Sequence, residues 1–151
     1  MDVFTLGDVA EILQVPKSRI KNWTIGRPLK IVPRVLAGKG KGSRNLYSLE
    51  DLYLFALVNQ LYADGLSNNA IQYVVDAAFR TPKLGPVQFF SLTVEKGEFR
   101  GKFMTSEREW ETTPTKRRRA TPKITAGTYT LNVADVVAWV NHRITKLRGG
   151  N

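Results

Sequence analysis

Residues 4–23 read FTLGDVAEILQVPKSRIKNW, and two short helices joined by a tight turn account for the whole string. Thr5 and Asp8 stand three apart, the spacing of a capping box with Asp in place of Glu, so a first helix begins at Thr5. Leu6, Val9, Ala10 and Leu13 then recur at helical spacing. Gln14-Val15 makes the turn, and Pro16 suits the first turn of a second helix, where its missing N–H is not needed. Two short helices joined by about four residues make a helix-turn-helix. At about 100° per residue, Ile20 and Trp23 point to one side of the second helix, and Lys17, Ser18, Lys21 and Asn22 to the other. That outward set is short, polar and cationic, as a helix entering a major groove requires; a solvated face has the same composition.

Charge separates the two readings. Between Pro16 and Tyr47 lie Lys17, Arg19, Lys21, Arg27, Lys30, Arg34, Lys39, Lys41 and Arg44, with no Asp or Glu among them. A solvated face normally mixes both signs, so a one-sign window of this length points to a polyanionic partner. Within it, KIVPRVL (30–36) is a β-type run interrupted by Pro33, which suggests an edge strand. GKGKGSR (38–44) follows, its glycines allowing close backbone approach to a phosphate and its cations supplying charge. Asn45-Leu46-Tyr47 returns as a strand, so the pair reads as a basic wing after the helix-turn-helix. No βαβ unit surrounds the glycines and no acid stands at the right distance, which excludes a dinucleotide fingerprint.

The rest of the composition agrees. The chain has 151 residues, a formal net charge of +10, no cysteine and one histidine, His142. Disulfides, thiolate metal sites and cysteine nucleophiles are thereby excluded. An isolated His and no legible acid/base carboxylate pair leave no catalytic or metal-binding constellation, and no cofactor is implied. No apolar run approaches membrane-spanning length and no secretory leader opens the sequence. The expectation is a soluble cytoplasmic, nucleoid-associated protein of bacterial or phage origin, binding nucleic acid and no membrane.

Ser48 and Asp51 form a second capping-box pair opening LEDLYLFALVNQLYADG, with Gly65 as its C-terminal cap. Ser67 caps a further helix, NNAIQYVVDAAF, with Ile71, Val74, Val75 and Ala78 on one face. Taken in order, TLGDVAEIL, V(P)KSRIKNW, GSRNLYSLEDL and GLSNNAI resemble the winged-helix DNA-binding domain of the MerR family of bacterial transcription regulators. The resemblance covers about half of the chain. It implies that Lys17, Ser18, Lys21 and Asn22 sit in the groove, with Trp23 at the aromatic position flanking the backbone. It also implies that Lys41 and Arg44 of the wing contact phosphate or minor groove. Arg19, Arg27, Lys39 and Tyr47 complete the candidate DNA-binding set. The sequence departs from the family at Gln14, where a glycine is usual, and at Lys21 and Asn22, where arginine and an aromatic are common.

The second half does not follow that family's usual long dimerising helix. Thr81-Pro82 and Gly85-Pro86 stop the helices. VQFFSLTV, a Lys96-Gly97 turn and EFRGKFMT read as a β-hairpin, and Thr128–Leu131 as a third strand. Residues 106–123 read as a loop or long hairpin tip whose basic run, Lys116, Arg117, Arg118 and Arg119, either adds phosphate contacts or is simply solvated. Asn132 and Asp135 cap a last helix on which Val133, Val137, Val140, Ile144 and Leu147 repeat at 4-3-4-3. That stripe can pack on the sheet of its own chain or pair with a symmetry mate. A combination is expected, with the β-plus-helix unit as dimeriser and these five residues at the dimer interface. The expected architecture is therefore α+β, with a winged helix-turn-helix over 1–80 and a β-plus-helix dimerisation unit over 86–148.

The function expected is a sequence-specific transcription regulator, a homodimer on an inverted-repeat site in double-stranded DNA, with no legible effector pocket. A phage or mobile-element architectural factor of the excisionase kind, bending DNA with the same winged helix, is the alternative.

Overall fold

Each of the first four helices opens where a short local hydrogen bond or a proline places it. The computed structural model describes residues 3–26, 29–31, 45–105 and 127–149. Helix α1, Leu6–Leu13, starts at Thr5: the Thr5 Oγ1 accepts from the Asp8 N–H at 3.3 Å and the Asp8 carboxylate accepts from the Thr5 N–H at 2.8 Å. Helix α3, Leu49–Ala63, repeats the reciprocal pair with Ser48 and Asp51. Helix α4, Asn68–Phe79, starts on the Ser67 hydroxyl. Helix α2, Lys17–Thr24, follows Pro16, whose side chain makes no capping bond but whose carbonyl accepts from the N–H of Arg19 and Ile20. Gly65, at φ 83°, ends α3 in a Schellman motif: its own N–H donates to the Tyr62 carbonyl and the Leu66 N–H to that of Leu61.

α3 is the centre of the molecule. Its residues 51–58 are all buried, so neighbours cover it on every side. Trp23 of α2 stacks at 6.0 Å on both Phe55 and Tyr62, and Tyr47 meets Phe55 edge-on at 5.6 Å.

The return strand pairs with an unexpected partner. β1, Val3–Phe4, and β2, Tyr47–Ser48, form a small antiparallel sheet with Phe4 opposite Tyr47. Leu29–Ile31, read as the start of an edge strand, is irregular: Leu29 and Ile31 are buried, and the Ile31 N–H donates to the Trp23 carbonyl at 2.9 Å. Leu29 and Ile31 join the hydrophobic core. The rest of the expected edge strand, 32–36, the wing tip expected at 38–44 and the loop at 106–123 lie outside the described residues.

The hairpin is as the turn residues demand. β3, Phe89–Glu95, and β4, Glu98–Met104, are joined by Lys96 and Gly97, both at positive φ (52° and 77°), the signature of a type I′ turn. β5, Gly127–Asn132, pairs antiparallel with β3, giving the order β4-β3-β5. Phe90, Leu92 and Val94 share a face with Tyr129 and Leu131, and this face packs towards α4. Gly101 permits the contact: a Cβ there would stand 2.5 Å from the Phe90 ring and 3.0 Å from that of Tyr73. The Gly101 N–H instead donates to the Tyr73 hydroxyl at 2.8 Å.

Helix α5, Val133–Gly149, carries the 4-3-4-3 stripe, and its packing within the chain is the half of the expected combination that the fold displays. Val133, Val137, Val140 and Ile144 are buried and Leu147 half-buried within a single chain, because α5 lies against α1 and α3. These residues fill the chain's own core and leave no continuous free stripe. Polar contacts lock the arrangement. The Arg143 guanidinium donates to the carbonyls of Glu11 (3.2 Å) and Ile12 (3.1 Å), which α1 itself leaves unsatisfied at its C-terminus. Tyr53 donates to Asn141 Oδ1 at 2.7 Å, and Arg148 lies over the Phe4 ring. Tyr129 of β5 donates to the Asp64 carboxylate at the end of α3. One hydrophobic core thus spans both segments, with Leu84 and Val87 buried at the expected division. Among the described residues no helix is long and apolar enough to cross a membrane.

Candidate nucleic-acid interface

The turn between α1 and α2 depends on one strained residue. Gln14 takes the left-handed conformation, φ 55° and ψ 42°, and its N–H and that of Val15 both donate to the Ala10 carbonyl. Val15 is buried, so the turn between the two helices lies over the core.

Two anchors then orient α2. Ile20 and Trp23 are 0% and 2% exposed. At helical spacing this turns Lys17, Ser18, Lys21 and Asn22 outward, and all four are exposed. Arg19 is exposed as well, but its guanidinium reaches sideways to Asn59 Oδ1 of α3 at 3.5 Å. The helix carries no acid, and the Thr24 hydroxyl returns to the Ile20 carbonyl at 2.9 Å, closing the last turn. A short rigid rod bearing cations and hydrogen-bonding groups on one side, and anchored on the other, can present donors and acceptors to base edges.

One member of the expected set is corrected: Tyr47, at 1% exposure, places its ring in the core against Phe55, while Trp23, at 2%, is buried on the side it shares with Ile20, as helical spacing gives it. Each offers α3 more apolar area than a surface position would use. Arg27, Lys39, Lys41 and Arg44 fall outside the described residues, as do Lys116, Arg117, Arg118 and Arg119.

Residues that sequence reasoning passed over complete the surface. Ser18, Arg19 and Asn22 share a cleft with Tyr62 at the end of α3 and Asn68 at the start of α4. Tyr62 donates to Asn68 Oδ1 at 2.8 Å. Burial raises its phenol above the ordinary tyrosine value, while the nearby Arg19 charge acts in the opposite direction. Lys30 is exposed, and its N–H donates to Gln72 Oε1 at 3.2 Å, so the chain leaving α2 crosses the middle of α4. The polar GLSNNAI turn was the only signal for Asn68 in the sequence. His142 is exposed on α5.

Residues 4–78 match the family model described as MerR HTH family regulatory protein. No match to a curated protein is found.

Proposed function

We propose, from an N-terminal half that belongs to the MerR family of helix-turn-helix regulators, that this DNA-binding transcriptional regulator reads a specific duplex sequence as a symmetric pair. The observation that carries the reading is the two-sided α2: Ile20 and Trp23 anchored in the core, Lys17, Ser18, Lys21 and Asn22 exposed. Lys and Asn are suited to guanine and adenine edges, and Ser to either. One helix with four such side chains covers only a few base pairs, so useful discrimination needs two copies on an inverted repeat. Lys39, Lys41 and Arg44 then grip the flanking backbone in this reading, and Lys116, Arg117, Arg118 and Arg119 add phosphate contacts. The pairing surface differs from the α5 stripe, which the chain's own core occupies.

The test is selection of bound sites from a randomised duplex pool, with the oligomeric state measured alongside. An enriched inverted repeat bound by a dimer is expected. Lys21→Ala and Asn22→Ala are expected to weaken binding to that site by about 1–3 kcal/mol while leaving binding to random duplex nearly unchanged. Equal losses on both would remove α2 from the groove. Tandem direct sites filled cooperatively would indicate the architectural role instead.

A further inference from the structure

A second cationic surface lies at the far end of α4. Arg80, Lys83 and Lys102 converge on one cleft, with Thr81 and Thr105 at its margin. All three cations are exposed, and among the described residues lining the cleft there is no Asp or Glu. A concave surface of one sign focuses its field on an anion more strongly than scattered charges do. The three residues come from separate elements: Arg80 caps the C-terminus of α4, Lys83 sits in the connection after it, and Lys102 is on the sheet-edge strand β4. The Gly101 contact with Tyr73 brings β4 to α4, and so assembles the cleft.

Its position relative to α2 gives it meaning. Asn68, at the start of α4, lines the cleft beside Ser18 and Asn22. From there Asn68, Gln72, Asp76 and Arg80 follow one another four apart along α4, with Lys30 lying against Gln72. Asp76 is the acid in this row, and its carboxylate accepts from Gln72 at 3.0 Å. The 12 residues of α4 span about 18 Å. That is about half a turn of B-DNA, or roughly five base pairs.

We infer that Arg80, Lys83 and Lys102 form a second phosphate-binding surface, which holds the duplex backbone about half a turn outside the segment read by α2. The inference rests on the DNA-binding reading above and extends its footprint. The second half of the chain contributes to it directly, because Lys102 belongs to the β-sheet. Cation heads suit phosphodiester oxygens and carry no base preference, so this surface adds affinity and register without sequence information.

The test uses the full chain and its Arg80→Gln/Lys83→Gln/Lys102→Gln variant. Binding is measured against salt on the selected site, once with long flanks and once with each flank trimmed by roughly five base pairs. The wild-type chain is expected to lose affinity on trimming, and the variant to be indifferent to it. On the long duplex the variant's salt slope is expected to fall by about two to three per protomer, at about 0.9 per phosphate. The selected sequence stays the same, and thermal unfolding shows that the variant is folded. Equal flank dependence and equal slopes in both proteins overturn the inference and leave the regulator reading intact. A wild-type chain that selects no sequence, yet loses flank binding in the variant, overturns the regulator reading and keeps this surface. Inorganic phosphate titrated into both proteins tests the other source of the same chemistry. Saturable binding to the wild-type chain alone, with no flank effect, would assign the cleft to a free anion and overturn the DNA contact.

Discussion

Helices α2 and α5 each have an apolar side and a polar side, but the molecule uses them in opposite ways. α2 is 8 residues long, buries Ile20 and Trp23, and turns an unbroken polar face outward. α5 is 17 residues long, buries the Val133–Ile144 stripe against α1 and α3, and sends Arg143 inward to the end of α1. Two anchors suffice for α2 because one is a tryptophan stacked with two aromatic rings of α3. The difference teaches that an apolar stripe reports burial, whereas the partner that covers it depends on the rest of the fold.

The comparison breaks most severely at Trp23. Trp23→Ala removes the ring that orients α2 and is expected to cost about 3–5 kcal/mol in urea unfolding, with DNA binding lost as the helix detaches. A loss below about 1 kcal/mol would mean that Ile20 alone positions α2.

On α5 the corresponding change is Arg143→Ala, which leaves the Glu11 and Ile12 carbonyls to water. It is expected to cost about 2 kcal/mol. Arg143→Lys should recover only part of that, since an ammonium lacks the planar fork. If both variants unfold with the wild-type chain, the apolar stripe alone docks α5.

Tyr129→Phe tests the link between the sheet and α3, at an expected cost of about 1–2 kcal/mol near neutral pH. It also carries a pH signature. Burial, then the hydrogen bond and charge of Asp64, hold the Tyr129 phenol far above its ordinary value of 10.0. Its stabilisation is therefore complete below about pH 10 and declines above it, where the unfolded chain releases a proton that the fold retains. Burial raises Tyr53 and Tyr62 in the same direction, so the variant should flatten the alkaline decline only in part. An alkaline decline of unchanged steepness in Tyr129→Phe would remove this assignment.

The smallest expected effect has the opposite sign. Gln14→Gly relieves a left-handed residue in the turn before α2 and is expected to stabilise the chain by about 0.5–1 kcal/mol. Thermal unfolding reads it as a small rise in midpoint. A fall would show that the exposed Gln14 side chain makes a contribution its backbone angle does not reveal.

Legibility followed the range of the interaction. The capping pairs at Thr5 and Ser48, the Ser67 cap, the Gly65 stop and the Lys96-Gly97 turn were all readable, because each engages groups only a few residues apart. So was the outward face of α2, which follows from helical spacing once Ile20 and Trp23 are inside. The pairing of Val3–Phe4 with Tyr47–Ser48 was not readable, since two-residue strands have no pattern of their own. Nor was the burial of Tyr47: an aromatic next to a basic loop has the same spelling whether it faces DNA or Phe55.

By itself, then, the sequence determined where helices start and stop, which face of α2 is polar, and that the window after Pro16 is cationic throughout. Those properties reside in local hydrogen bonds and in charges that folding does not remove. Only the tertiary structure decided that α5 closes over α1 and α3, and that Arg80, Lys83 and Lys102 meet in one cleft. The hydrophobic effect rewards any burial and names no partner. Which surfaces meet is settled when the whole chain finds the one packing that covers all its stripes together.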